Sequence, residues 1–261
     1  MINPFKITEN TIYARMGYEF ESREYYYRYI SEIKKWGQHL LNTKRYITHA
    51  AARVKSKKRA AVIGSGWCFD VPIMELARMF DEVVFIDVVH PARVRARASN
   101  FPNVKFVKED ITKMIVETYN SLENYKNFTI DILICNKNYC HGGYVECLNE
   151  FDFVVSVNTL AFLDDLIVDY LDRKELLDDF SARQLITEIQ QSHVNSLPKG
   201  KSCLITPCIE IRKNSDNLEV SNRQIIQCQM PELNREDKWN WDYSSSPLSG
   251  SIKYLVKAAE L

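Results

Sequence analysis

The sequence predicts an α/β domain with a mostly parallel β-sheet, preceded by a helical segment. From about Arg59 onward, short apolar runs alternate with helical patterns, which is typical of parallel strands joined by helical crossovers. A glycine turn at 64–66 ends the first apolar run, and Asp87 ends the second. Because the first part of the chain lacks this alternation, we expect two domains: an N-terminal helical cap, residues 1–58, and an α/β domain, residues 59–261.

The N-terminal cap is predicted to be helical and is rich in aromatic residues. Apolar residues between Tyr26 and Leu41 recur at helical spacing, and a second helical stretch spans 46–54. The aromatic rings suit two interpretations: plain helix packing on the sheet, or a lid across a ligand pocket beyond the strand ends. Under the lid interpretation, Tyr18 and Tyr25 are candidate substrate-binding residues.

The α/β part is predicted to contain seven strands. Apolar runs predict strands at 60–63, 83–86, 104–107, 151–157, 202–205, 224–229 and 252–258, and helical patterns lie at 71–80, 91–99, 112–122, 163–177 and 181–193. Asp70 is the predicted N-cap of the first of these helices. The last two strands are joined by a segment with turn chemistry, 231–250, and no helical pattern. We therefore expect them to pair antiparallel.

The composition excludes several classes of protein. Lys+Arg and Asp+Glu are both 34, so the chain lacks the overall positive charge of proteins that coat nucleic acid, although a local patch for nucleic acid stays open. No stretch reaches the roughly 18 apolar residues of a membrane span, and the N-terminus lacks a signal-peptide pattern. Seven cysteines in a chain of this length favour reduced thiols. We expect a cytoplasmic protein with no membrane partner, and its oligomeric state stays open.

The first candidate site combines the turn Gly64-Ser65-Gly66 with Asp87, which follows Gly64 by 23 residues. Glycines let a ligand approach the backbone closely, and a carboxylate after the second strand can accept hydrogen bonds from both hydroxyls of a ribose. A dinucleotide fingerprint needs a third glycine where this chain has Phe69, and that ring argues against a pyrophosphate. S-Adenosylmethionine carries no phosphate and needs the same acid. Asp110, after the third strand, is placed to accept from an adenine amino group or to cap the helix that follows.

On these residues, the chain from Arg59 to Leu261 resembles the class I S-adenosylmethionine-dependent methyltransferases, whose Rossmann-like sheet ends in an antiparallel strand pair. The matching segments are Val62-Ile63-Gly64-Ser65-Gly66, Val84-Phe85-Ile86-Asp87, Lys108-Glu109-Asp110-Ile111 and 151–158. The resemblance implies S-adenosyl-L-methionine as the cofactor, bound by Gly64, Ser65, Gly66, Asp87, Val88, Asp110, Ile111 and Asn158. One departure is Cys68, which stands where the family's G-x-G-x-G loop has its last glycine.

In such enzymes, the fourth strand lies beside the methyl group of the cofactor. Asn158 and Thr159 are therefore the candidate catalytic residues, although an Asn at a strand end is also ordinary turn chemistry. The Asn-Pro-Pro-Tyr motif of methyltransferases that modify amino groups of bases or glutamine is absent at this point. The sequence therefore does not favour that subclass.

The segment 124–150 interrupts the strand–helix pattern. It contains Cys135, Cys140, His141 and Cys147, whose spacing does not match the usual zinc-ligand patterns. Cys135 also lies in an apolar run, as a small core residue would. We therefore expect no metal, and His141, beside two glycines, is a candidate substrate-binding residue.

The predicted function is methyl transfer from S-adenosylmethionine to a small-molecule acceptor whose identity the sequence leaves open. One alternative is a nicotinamide-dependent oxidoreductase, which shares the ribose acid, although Phe69 and the antiparallel tail count against it. The other alternative is a non-catalytic cofactor-binding protein with the same fold, an interpretation that Cys68 keeps in consideration.

Overall fold

The computed structural model describes residues 7–124, 133, 147–246 and 248–261. Seven α-helices are numbered along this part of the chain: α1 (Glu9–Arg15), α2 (Tyr18–Arg53), α3 (Ile73–Met79), α4 (Ala92–Ala98), α5 (Ile115–Asn124), α6 (Asp165–Asp172) and α7 (Asp179–Ser196). Eight strands accompany them: β1 (Arg59–Ile63), β2 (Glu82–Asp87), β3 (Val104–Lys108), β4 (Phe153–Val157), β5 (Ser202–Lys213), β6 (Glu219–Gln224), β7 (Asn234–Ser246) and β8 (Gly250–Glu260).

The strands form one sheet in the order β3-β2-β1-β4-β5-β8-β7, with β6 also paired to β5. Strands β1 to β5 are parallel to one another, and β8 lies antiparallel to both β5 and β7. The predicted fold class is therefore confirmed: a Rossmann-like α/β sheet that ends in an antiparallel strand pair. The predicted number of strands was wrong, because the described residues form eight.

The additional strand follows from the length of β5. Prediction ended this strand at Ile205, but it continues to Lys213 through an irregularity in pairing between Pro207 and Ile209. A bulge is the position at which a sheet tolerates proline, which has no N–H to donate. The extended half of β5 then pairs with β6 as a hairpin.

The positions of the late strands also differ from the prediction. A strand at 224–229 was wrong, since β6 ends at Gln224, and the supposed turn segment contains β7. Trp239, Trp241 and Tyr243 are buried on one face of β7, and the residues between them are exposed. This alternation is the pattern of a half-buried strand. The three buried aromatic residues therefore determine the structure of this segment, although the residues around them are polar.

Helix α2 is one continuous helix where two stretches were predicted, and Gly37 does not interrupt it. It packs on the antiparallel end of the sheet. Trp36 is fully buried there and donates from Nε1 to the Tyr243 carbonyl oxygen at 2.9 Å. Tyr46 and Ile47 of the same helix join the core of the sheet. The domain boundary between residues 58 and 59 stays a prediction.

The parallel strands place three loops at one edge. Ile63, at the end of β1, is in register with Ile86 of β2 and Ser156 of β4. The chain leaves all three strands at their carboxyl ends, where ligands bind in open α/β sheets. Within the described residues, no helix is long and apolar enough to cross a membrane.

Candidate functional site

A cavity of about 660 Å³ lies at the carboxyl edge of the sheet. Its walls come from the loops after β1, β2, β3 and β4, from α2 and α6, and from the antiparallel strands. The structure brings together these predicted site residues on its lining: Tyr18, Tyr25, Gly64, Ser65, Gly66, Asp87, Val88, Asp110, Ile111, Asn158 and Thr159. His141, Cys135 and Cys140 lie outside the described residues. In the part that is described, no group of His, Cys, Asp and Glu side chains is arranged to hold a metal ion.

The glycine loop, residues 64–69, needs positive φ angles and a close approach of its backbone to Thr159. Gly64 has φ +75°, and a Cβ atom there would overlap Oγ1 of Thr159 and lie 2.9 Å from its Cβ. Gly66 has φ +37°. Cys68 keeps the left-handed backbone, φ +50°, that glycine adopts at lower cost. Its buried thiol has a raised pKa because the thiolate would be desolvated, so this departure preserves the shape of the loop without adding a nucleophile.

Two aromatic residues fasten the glycine loop to α2. The Trp67 indole donates from Nε1 to the carbonyl oxygen of Ser22 at 2.7 Å, and its ring lies 4.5 Å from that of Tyr26. The Phe69 ring stacks on Tyr29 at 3.8 Å. Phe69, at the third position of the dinucleotide fingerprint, therefore packs the loop against α2. The sequence alone does not reveal this contact.

The Asp87 carboxyl accepts hydrogen bonds from the backbone on both sides of it in the site. Its Oδ2 accepts from the backbone N–H of Gly66 at 2.9 Å, and its Oδ1 accepts from Val89 N–H at 3.1 Å. Burial raises the pKa of this carboxyl, while these N–H groups and the nearby His90 lower it. The carboxylate lines the cavity directly beside the loop, so it can accept further donors from a ligand.

Asp110 is buried and already serves the helix that follows it. Its Oδ1 accepts from the backbone and hydroxyl of Thr112 at 2.8 and 2.6 Å, and its Oδ2 accepts from Ile115 N–H at 2.8 Å. The predicted N-cap position is wrong, because α5 starts at Ile115, but the Asp110 carboxyl accepts the first N–H of that helix. Because Asp110 also lines the cavity, the adenine-side assignment stays a prediction beside it.

Asn158, which directly follows β4, is half-buried and contacts two buried polar side chains. Asn158 has φ +50°, and its Nδ2 lies 2.7 Å from Asp70 Oδ2 and 3.2 Å from His39 Nε2. The N-cap prediction for Asp70 was wrong: α3 starts at Ile73 with Pro72 before it, and the Asp70 carboxyl turns to Asn158 instead. No local sequence signal ties three side chains from such distant parts of the chain.

Thr159 meets the glycine loop rather than open space. Its hydroxyl lies 3.0 Å from the Val157 carbonyl oxygen and 3.3 Å from that of Ile63. The side chain therefore joins the ends of β1 and β4 just beneath Gly64.

Aromatic rings and paired charges also line the cavity. Phe162, Tyr243 and Tyr254 join Tyr18 and Tyr25 there. Arg28 donates to the Tyr243 hydroxyl, and Arg212 donates to both carboxyl oxygens of Glu210 at 2.8 and 3.1 Å. Neither arginine therefore offers an unengaged positive charge.

Asp165 was not among the predicted site residues. It stands at the first position of α6, on the cavity lining, and its side chain is exposed. Desolvation, followed by the nearby Asp164 carboxyl, raises the pKa of Asp165 to about 7. A carboxyl with this pKa can take up or release a proton near neutral pH.

No family model matches this chain, and no curated protein matches it. Several solved structures are similar to it at low identity, and three of them serve as examples. The N-methyltransferase NodS from Bradyrhizobium japonicum, in complex with S-adenosyl-L-homocysteine, is 14% identical over 85% of this chain and 86% of that chain, with a TM-score of 0.39. A DhpI–SAH complex is 11% identical over 97% and 98%, with a TM-score of 0.38.

The third is the Burkholderia thailandensis 1,6-didemethyltoxoflavin-N1-methyltransferase with bound 1,6-didemethyltoxoflavin and S-adenosylhomocysteine. It is 13% identical over 91% of this chain and 88% of that chain, with a TM-score of 0.36. At such identities and TM-scores, the similarities carry no argument for function. We therefore infer the function from the geometry of the cavity in this chain.

Replacing Gly64 tests the close approach in the loop. We expect Gly64→Ala to lower the free energy of unfolding by about 2–4 kcal/mol, because the new Cβ meets Thr159 and the positive φ becomes strained. Gly37→Ala is the matched control. It lies in α2 with open space around it, and should stabilise the protein by about 0.5–1 kcal/mol. Urea denaturation measures both, and equal effects of the two substitutions would contradict the packing described.

The raised pKa of Asp165 predicts a pH-dependent effect of Asp165→Asn. The folded pKa of about 7 lies above the ordinary value of 3.8, so the neutral form stabilises the fold at low pH and this stabilisation is lost as pH rises through 7. Asparagine stays neutral. The melting temperature of Asp165→Asn relative to wild type should therefore rise between pH 4 and 7 and level off above, with Asp172→Asn, at the exposed end of α6, as control. A difference that stays flat or falls would exclude the raised pKa.

Proposed function

We propose that this protein is an S-adenosylmethionine-dependent methyltransferase that acts on a small molecule. The observation that carries the proposal is the position of Asp87, a carboxylate at the end of β2 that meets the glycine-loop backbone inside a cavity at the carboxyl edge of the sheet. There it can accept hydrogen bonds from the two ribose hydroxyls of the cofactor.

The residues of the cavity fit this cofactor. Gly66 leaves its Cβ position open 3.7 Å from Asp87, so a ligand can lie against the backbone. Ser65 Oγ is buried and has no partner among the described residues, as expected of a group that waits for a ligand. A volume of about 660 Å³ is sufficient for a nucleoside and a small acceptor together.

Charge favours a sulfonium compound over a dinucleotide. Asp87, Glu109 and Asp110 contribute acidic side chains to the cavity lining near the loop. A pyrophosphate needs cations or the N-terminus of a helix, and α3 begins only at Ile73, after the loop has turned away. S-Adenosylmethionine has a positive sulfonium and no phosphate, so the acidic surroundings suit it.

When bound, S-adenosylmethionine supplies an electrophilic methyl group, and the protein contributes mainly orientation and exclusion of water. Thr159 joins the two strand ends beneath the glycine loop, so we assign it to shaping the site. Asn158 lines the cavity and keeps its place as a candidate at the methyl-transfer centre. Tyr18 and Tyr25 line the cavity and remain candidate substrate-binding residues. Asp165 offers a carboxylate that can accept a proton where the acceptor loses one on methylation.

Removing the Asp87 carboxylate tests the proposal. Asp87→Ala should weaken the binding of S-adenosylhomocysteine by about 10- to 100-fold in calorimetry, because the ribose hydroxyls lose a charged acceptor. Asp81→Asn is the matched control, since Asp81 is exposed just before the opposite end of β2. Wild type that fails to bind, or Asp87→Ala that binds like wild type, would refute the cofactor assignment.

Two further measurements separate the alternatives. Incubation with methyl-labelled cofactor and a cell extract should transfer label to a small-molecule fraction, whereas cofactor binding without any transfer would favour the non-catalytic alternative. Quenching of protein fluorescence by NADH, without a response to S-adenosylhomocysteine, would favour the oxidoreductase.

A further inference from the structure

Beside the cavity, a hydrogen-bonded chain of four side chains runs from β7 through α2 to the residues after β4 and β1. Asn158 is half-buried, and the other three members, Trp239, His39 and Asp70, are buried. Trp239 Nε1 lies 3.0 Å from His39 Nδ1, and His39 Nε2 lies 3.2 Å from the amide of Asn158. The same amide atom lies 2.7 Å from Asp70 Oδ2. The proposed function does not use three of these four residues, and their donors and acceptors determine how Asn158 is oriented.

The protonation of His39 follows from its neighbour on β7. An indole nitrogen can only donate, so His39 Nδ1 must be the acceptor and carries no proton. Burial lowers the pKa of His39 to about 3, which keeps the ring neutral. A neutral imidazole has one proton, and it must be on Nε2. His39 is therefore a donor toward Asn158.

The orientation of the Asn158 amide follows from His39. If the amide nitrogen faced His39, two N–H groups would oppose each other at 3.2 Å. The two ends of an amide have nearly the same shape, so hydrogen-bond complementarity decides between them. The atom that faces His39 and Asp70 is therefore Oδ1, whose two lone pairs accept one hydrogen bond from each.

Asp70 must then be a donor, which requires its neutral acid form. Asp70 is 7% exposed, and its Oδ2 lies at a distance typical of an O–H···O bond. The other titratable groups that face it are Tyr25 and Lys44 of α2 and Cys68 of the loop. Lys44 lowers the pKa of Asp70, but desolvation outweighs it and raises the pKa.

With Oδ1 turned inward, the Asn158 amide NH₂ takes the position of the buried amide atom that has no partner among the described residues. Asn158 lines the cavity, so a bound ligand is the partner that this donor lacks. We propose that His39 and a neutral Asp70 are positioning residues that make Asn158 a hydrogen-bond donor to an oxygen atom of the bound ligand. This inference rests on the proposed function for the identity of that ligand.

The chain itself is tested without any ligand. At pH 7, the infrared difference between wild type and Asp70→Asn should contain the C=O band of a protonated carboxyl group, with Asp81→Asn as control. Nitrogen-15 NMR should place the His39 proton on Nε2. A carboxylate band for Asp70, or a proton on His39 Nδ1, would overturn the inference, and neither result depends on cofactor binding.

Binding then tests the positioning role and the source of the oxygen. Asp70→Leu and His39→Leu should each weaken S-adenosylhomocysteine binding about tenfold or leave it unchanged while impairing methyl transfer, and Asp70→Asn and His39→Gln should recover most of the loss. A loss for S-adenosylhomocysteine but not for 5′-methylthioadenosine, which lacks the amino acid, assigns the oxygen to the cofactor carboxylate. An effect on methyl transfer alone assigns it to the acceptor. Equal losses for both compounds, or no effect on binding and transfer, would contradict the role of Asn158 as donor.

Discussion

The contact between Gly64 and Thr159 is the constraint on which the site depends. Because Gly64 has no side chain, the chain after β4 can approach the end of β1, and the Thr159 hydroxyl joins the two strand ends. This approach brings Asn158 beside the loop. The neighbouring register with β2 brings Asp87 to the same place, where it receives the Gly66 N–H. A side chain at position 64 would separate these parts.

The N-terminal helix is a structural part of this site rather than an appendage. Trp67 and Phe69 leave the glycine loop and pack on Tyr26 and Tyr29 of α2, while Trp36 of the same helix packs on β7. The helix therefore contacts both the glycine loop and the antiparallel end of the sheet. Loss of packing along α2 is expected to disturb the loop as well as the aromatic lining of the cavity.

Much of the fold and of the cavity lining around the glycine loop was predictable because local patterns encode it. Buried strands, the glycine turn and the acid after β2 are short-range signals, and they fall on the observed elements. β7 was not predicted as a strand, although Trp239 and Trp241 alternate as in one, because charged residues and turn formers surround them. The extension of β5 was missed because a proline such as Pro207 usually ends a strand. Here a bulge accommodates it and the strand continues.

The remaining site residues could not be predicted because their roles come from tertiary contacts. His39 is a lone histidine on a helix, and its meaning depends on Trp239, 200 residues away. Aspartate is a preferred N-cap residue, but the Asp70 carboxyl contacts Asn158 instead. Asp165 resembles any acid in the first turn of a helix, and only its position on the cavity wall distinguishes it.

The most direct test of the account is a crystal structure of the protein with S-adenosylhomocysteine. We expect the ribose hydroxyls to lie within hydrogen-bond distance of the Asp87 carboxylate, and the amino acid end to lie over Gly64 to Gly66. A complex in which the ligand lies elsewhere, or in which Asp87 makes no contact with the ribose, would contradict it.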